Sequence, residues 1–185
     1  MYKAKRKGTE NLFGVKAFTK ADILEQTKGV EGLYNEVVVM KEYGDNKHLM
    51  NFYELHETVH SLYMVVEYMS GGELLKSMSK KKCYSEKRVK KIMKNIILGL
   101  EAMHKLGLMH RDLKPENLMV KSSEEPHNVK IIDFGLAEYV ANKEYIFNRC
   151  GTPGFVAPEI IVLKPGERYN EKCDVFSVGV IFYIL

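Results

Sequence analysis

The sequence predicts an α+β chain in two lobes, a small strand-rich one followed by a helix-rich one. Three observations carry this. Short β-rich runs separated by turns crowd the first third, one long stretch of 3.6-residue apolar periodicity follows, and the composition changes character at Gly71-Gly72. The boundary falls at Met69 to Gly72, which gives lobes of residues 1–69 and 70–185. With 185 residues, 45% hydrophobic and 28% charged, a sizeable core is available, and disordered, collagen-like and low-complexity classes are excluded.

Met1 to Lys5, Leu12 to Thr19, Asn51 to His56 and Ser61 to Tyr68 are rich in Val, Tyr, Phe and Leu and read as strands, with Gly8 in the first turn. Between them, Leu33, Val37, Met40 and Tyr43 recur at helical spacing over Val30 to Tyr43, and Gly44 is placed to stop the helix. Ser85 to Leu106 puts Val89, Ile92, Met93, Ile96, Ile97, Leu100 and Met103 on one face. Ser85 is placed to cap it, Glu86 and His104-Lys105 suit its two dipole ends, and Gly107 can end it. Leu118 to Val120 and Val129 to Ile132 flank the polar stretch Ser122 to His127 and read as a hairpin. Asp133 to Pro158 shows no sustained period, and a segment of that length is functional or disordered. Val175 to Leu185 is nearly continuously apolar but too short to span a membrane, so it reads as a buried helix. No internal repeat is present.

Lys+Arg exceeds Asp+Glu by 28 − 24 = 4, a scattered excess that argues against nucleic-acid binding, and Lys80-Lys81-Lys82 reads as solvated surface. Cys83, Cys150 and Cys173 lack CxxC spacing, so neither a disulfide framework nor a zinc site is expected, and a reducing interior suits them. Behind Met1 to Arg6 there is no apolar stretch of the secretory kind.

His110-Arg111-Asp112-Leu113-Lys114-Pro115-Glu116-Asn117 crowds charged and polar groups into one connector. That makes sense if a carboxylate must receive a hydroxyl proton, a cation must meet a phosphoryl oxygen and an amide oxygen must hold a metal. Asp133-Phe134-Gly135 follows an apolar strand, a placement that aims a hard oxygen ligand at a divalent ion. A merely solvated loop accounts for the first stretch but not for the second.

These elements, in order and with Ala157-Pro158-Glu159 downstream, resemble the HRDLxxxN, DFG and APE set of a eukaryotic protein kinase, over nearly the whole chain. Lys114 with Gly151-Thr152-Pro153 resembles the serine/threonine branch. Arg149 to Ile160 is further similar to the calcium/calmodulin-dependent and calcium-dependent protein kinases. The resemblance implies a two-lobed kinase fold and transfer of the ATP γ-phosphate to a protein Ser/Thr with Mg²⁺. Asp112 would accept the hydroxyl proton, Lys114 would stabilise the transferring phosphate, and Asn117 and Asp133 would hold Mg²⁺. Lys16 and Glu36 would form the nucleotide-orienting pair, although judged alone they read as a surface lysine and a solvent-facing helix residue. Val66 would gate the adenine site, Glu67 and Met69 would bond adenine through their backbones, Glu73 would reach the ribose and Met119 would lie beneath the base. Met40, Phe52, His110 and Phe134 would stack as a spine, and core packing explains these apolar positions equally well.

Glu73 and Glu116 sit where basophilic relatives meet an arginine upstream of the phosphorylated residue, which implies an Arg-containing Ser/Thr substrate. Asn148 takes the usual phosphorylation position and cannot accept phosphate, so Arg111 is expected to work without a phosphothreonine, and Thr152 to bond Asp112 and Lys114. Measured against the family, Gly14 replaces an alanine, Phe176 replaces a tryptophan, and Asp174 remains to brace the catalytic loop. No glycine-rich phosphate loop is present, and the far side of the last helix lacks cover. The sequence is therefore expected to be an incomplete, aggregation-prone catalytic domain, truncated at both ends, with any calcium-sensing or calmodulin-binding part outside it. The alternative is a catalytically silent kinase-like binding module or a non-functional fragment. No nucleic-acid partner and no membrane segment are expected, and the location is expected to be cytoplasmic.

Overall fold

The computed structural model describes residues 1–78 and 84–185; Cys83 and the Lys80-Lys81-Lys82 run lie outside the described residues. The first part is a four-stranded antiparallel sheet of β1 (Tyr2–Lys5), β2 (Leu12–Thr19), β3 (Phe52–Glu57) and β4 (Ser61–Glu67), in the order β1-β2-β4-β3. The β2–β4 register sets Gly14 opposite Val66 and Lys16 opposite Met64. Met64 and Val66 alternate inward, where they join Val37 and Met40 in one core.

Two helices connect β2 to β3. The first, α1 (Lys20–Glu25), has no apolar stripe that the sequence could announce. What starts it is a cap, with the Thr19 side chain accepting from the Asp22 N–H. The second, α2 (Gly29–Tyr43), begins one residue before the predicted start and ends at Gly44.

After the short α3 (Leu74–Met78) comes the long α4 (Glu86–Lys105). Its predicted stripe is buried except for Ile97, which is 53% exposed because it sits at the edge of the apolar arc. Ser85 holds the N-cap position with extended backbone, but its hydroxyl makes no capping bond, contrary to expectation. Gly107, at φ 72°, turns the chain where a Cβ would be strained. It leads into β5 (Leu108–Met109), which pairs with β8 (Glu138–Tyr139) across the molecule. The predicted hairpin is β6 (Leu118–Val120) against β7 (Val129–Ile131).

The segment after β7 is ordered despite its lack of period: it buries Phe134, Ala137, Tyr145 and Ala157. Two helices follow, α5 (Pro158–Ile161) and α6 (Lys172–Ile184). One face of α6 is buried, through Cys173, Asp174, Ser177, Val178 and Ile181, while Phe176, Phe182 and Tyr183 are exposed, as expected of an apolar helix whose far side lacks cover. Among the described residues no helix is long and apolar enough to cross a membrane.

Candidate active site

The connector after β5 is polar in composition yet largely buried, and it is held by bonds rather than by apolar packing. Asp174 on α6 is fully buried, and its carboxylate accepts the backbone N–H groups of His110 at 2.9 Å and Arg111 at 2.8 Å and lies 2.9 Å from His104 Nε2. Arg111 and Asp133 both adopt positive φ, 68° and 64°. A left-handed L-residue costs about 1–2 kcal/mol, while each charge-assisted hydrogen bond returns roughly 1.5–3 kcal/mol, so Asp174 can hold the Arg111 turn.

Asp112 is the hub of the loop. Its Oδ1 accepts the Thr152 hydroxyl at 2.6 Å, and its Oδ2 meets Lys114 Nζ at 2.8 Å and Asn117 Nδ2 at 3.1 Å. Lys114 also donates to the Thr152 hydroxyl at 2.7 Å, closing a triangle. Thr152 reaches the hub because Gly151 precedes it: at φ 114°, a Cβ there would lie 2.8 Å from Val156 Cγ2 and 2.9 Å from the Arg111 carbonyl.

The Asn117 carbonyl accepts the Ile132 N–H at 2.9 Å, which sets Asp133 beside the catalytic loop. Phe134 is fully buried, with its ring centroid 5.5 Å from His110 and 5.1 Å from Tyr43, and it joins Met40 and Phe52 in the main core. Asp133 Oδ1 lies 3.8 Å from Lys16 Nζ, which donates to both Glu36 oxygens at 3.0 and 3.1 Å. Glu36 is 4% exposed, Lys16 28% and Asp133 48%, so the cation bridges a buried carboxylate and a solvent-facing one. Burial draws Lys16 down, but Glu36 and then Asp133 outweigh it and hold the ammonium above its usual range. Burial pushes Glu36 up and Asp133 adds to that, against the pull of Lys16 and the Phe134 backbone.

Lys16, Glu36, Asp112 and Asp133 line one cleft of about 370 Å³. A second, mostly apolar cleft of about 260 Å³ lies against Gly14, Glu67, Met69 and Met119. The Glu67 side chain is directed onto Lys130, 2.5 Å away and buried. Glu73 pairs in an isolated bridge with Met119 and accepts from Lys76 at 2.6 Å, while Glu116 is exposed within the 3-10 turn Pro115–Asn117. Among the described residues no cluster of three His, Cys, Asp or Glu could hold a metal. Asn117 spends its amide N–H on Asp112, which leaves its side-chain oxygen for a cation, and Asp133 offers a half-exposed carboxylate. Two hard oxygens suit a magnesium ion that takes its remaining ligands from phosphates and water.

Sequence reasoning missed Lys130, Glu138 and Tyr169. Arg111 Nη1 donates to the Tyr169 hydroxyl at 3.0 Å, and Glu138 Oε2 lies 3.8 Å from Arg111 Nη2. These partners are far apart in the chain and belong to no short pattern.

A family model described as the protein kinase domain matches residues 1–185. The chain is 39% identical to a probable myosin light chain kinase of Dictyostelium discoideum over 83% of its own length and 48% of that protein's. It is 38% identical to a probable serine/threonine-protein kinase 2 of Plasmodium falciparum (95% and 33%), and 36% identical to calcium-dependent protein kinase 2 of Arabidopsis thaliana (97% and 27%). It thus spans about half or less of the length of each.

Proposed function

The chain belongs to the protein kinase family, and from that premise we propose that it serves phosphoryl transfer from ATP to a protein serine or threonine. The single observation that carries this reading is the convergence of Asp112, Asp133, Lys16 and Glu36 on one cleft. ATP with Mg²⁺ supplies the activated phosphoryl group and the charge neutralisation, with Asn117 and Asp133 as the chain's ligands to the metal. Asp112 orients the incoming hydroxyl and takes its proton. Lys114, held by Asp112 and Thr152, faces the developing phosphoryl charge. Lys16, fixed by Glu36, orients the nucleotide phosphates, and the apolar cleft at Met69 and Met119 takes the adenine, with Glu73 at the ribose.

An arginine upstream of the acceptor residue would be met by Glu73 and Glu116. The domain division at residues 69 and 70 follows the same reading, with the cleft between the parts. A cytoplasmic setting is part of the same proposal. Incubating the full chain with Mg·ATP and a Ser/Thr peptide carrying upstream arginine tests the reading. Phosphopeptide should form, and Asp112→Asn should cut its rate by about 10²–10⁴-fold, the usual worth of a positioned base. An Asp112→Asn chain as fast as wild type, or a wild-type chain that binds Mg·ATP without transferring phosphate, would select the binding-module reading.

A further inference from the structure

Arg111 precedes the hub Asp112, and its guanidinium is wholly buried. Three of its hydrogen bonds go to neutral acceptors: Nε to the Leu136 carbonyl at 2.7 Å, and Nη1 to the Phe147 carbonyl at 2.7 Å and the Tyr169 hydroxyl at 3.0 Å. Its Nη2 makes no hydrogen bond. A buried cation satisfied only by neutral groups is expensive, so its nearest counter-charge matters. The carboxylate facing it is Glu138 of β8, with Oε2 3.8 Å from Nη2.

Glu138 is 1% exposed, and its two oxygens are heavily used. Oε1 accepts the Tyr139 N–H at 3.1 Å and Asn142 Nδ2 at 2.6 Å, and Oε2 accepts the Ile146 N–H at 3.0 Å. A single carboxylate therefore gathers residues 139, 142 and 146 and presents the assembly to Arg111, whose Nη1 takes the next carbonyl along, that of Phe147. Beyond Phe147 stands Asn148, which has no hydroxyl to modify. Tyr145 is buried, with its hydroxyl on the Tyr169 carbonyl at 3.0 Å.

We propose that Glu138 is a positioning residue: its buried carboxylate is a built-in counter-charge for Arg111 that folds residues 138–147 against the catalytic loop, so the segment reaches its ordered form without phosphorylation. The inference rests on the kinase reading for its consequence in catalysis, but not for its consequence in segment order. Coupling runs from Glu138 through the Arg111 side chain to the Arg111 backbone, which Asp174 fixes beside Asp112.

The experiment uses the full chain in wild-type, Glu138→Gln and Glu138→Asp forms, with amide hydrogen exchange at Ile146 and steady-state peptide phosphorylation as readouts. Loss of one buried charge-assisted bond corresponds to about a tenfold change or more, so Glu138→Gln should lose that much protection at Ile146 and that much kcat, with KM for ATP nearly unchanged. Glu138→Asp, which keeps the charge, should recover most of both. Phosphatase-treated wild-type chain should keep its Ile146 protection and its rate. Wild-type protection and rate in Glu138→Gln would overturn the proposal, as would loss of both on phosphatase treatment. The phosphatase arm needs no variant and keeps the claim of order without phosphorylation open to refutation, and Glu138→Asp keeps the counter-charge claim so even if Glu138→Gln does not fold. A chain that transfers no phosphate at all would count against the kinase reading alone, because the exchange measurements stand without it.

Discussion

The catalytic loop and helix α6 invert the usual relation between composition and burial. Residues 110–117 are among the most polar in the chain, yet His110, Arg111 and Asn117 are buried and their charges face partners. Helix α6 has a nearly unbroken apolar sequence, yet Phe182 is 59% and Tyr183 93% exposed. The two regions touch at Asp174, whose carboxylate accepts the loop N–H groups of His110 and Arg111. Apolar surface exposed in quantity marks a contact face or an aggregation liability. Polar groups buried in quantity mark a geometry worth its desolvation cost, and hydrophobicity alone would have assigned both regions the wrong way round.

The largest break in this contrast should come from Asp174→Ala. It leaves the His110 and Arg111 amides and the His104 ring without their acceptor, and we expect a loss of about 3–5 kcal/mol in denaturant unfolding. A loss under about 1 kcal/mol would mean that the loop supports itself. Within α6 the two faces should separate cleanly. Ile181→Ala should cost about 2–5 kcal/mol as a core truncation, whereas Phe182→Ser should stay within about 0.5 kcal/mol and reduce self-association in light scattering. Equal costs on both faces would show that the outer face is covered in solution.

The Lys16–Glu36 pair sharpens the comparison from the polar side. Burial raises Glu36, so the folded state favours its protonated form; that contribution is present at acidic pH and is lost as pH rises through the folded value. Lys16 is at the same time held above its usual value by Glu36, so at neutral pH each charge offsets the burial of the other. Glu36→Gln should leave the Lys16 ammonium without its buried counter-charge, lower the melting temperature at pH 7 and cut phosphotransfer about tenfold or more. A wild-type melting temperature with normal activity would reverse that assignment. The smallest effect expected is on thiol reactivity. Burial, with Asp174 and Glu159 adding to it, pushes Cys173 well above its ordinary value, and burial raises Cys150 despite Arg111. At pH 8 Cys173 should alkylate far more slowly than a free thiol, and labelling at the free-thiol rate would show that α6 opens locally.

What the sequence revealed tracks the range of the interaction. Strand β2 was read to the residue and α4 to within one, because alternation and a seven-residue stripe are local. Helix α1 escaped because six residues bury only Ile23; its one signal was Thr19 placed three residues before Asp22. That Asp112, Lys114, Asn117 and Asp133 belong to one set was legible as pattern, while the bonds of Asp112 to Lys114 and Asn117 were not. Among the partners of Asp112, Thr152, 40 positions away, was anticipated. Glu138 was not legible at all, since its partner Arg111 lies across a pairing of β5 with β8 that two-residue strands cannot announce.

The central claim is that Asp112 and Asp133 share one nucleotide cleft in different offices, one for the acceptor hydroxyl and one for the metal. ATP affinity measured with and without Mg²⁺ on the full chain, in wild-type, Asp112→Asn and Asp133→Asn forms, tests it most directly. Magnesium should tighten ATP binding in wild type and Asp112→Asn and should lose that effect in Asp133→Asn. A magnesium effect that persists in Asp133→Asn, or that vanishes equally in both variants, would contradict the account.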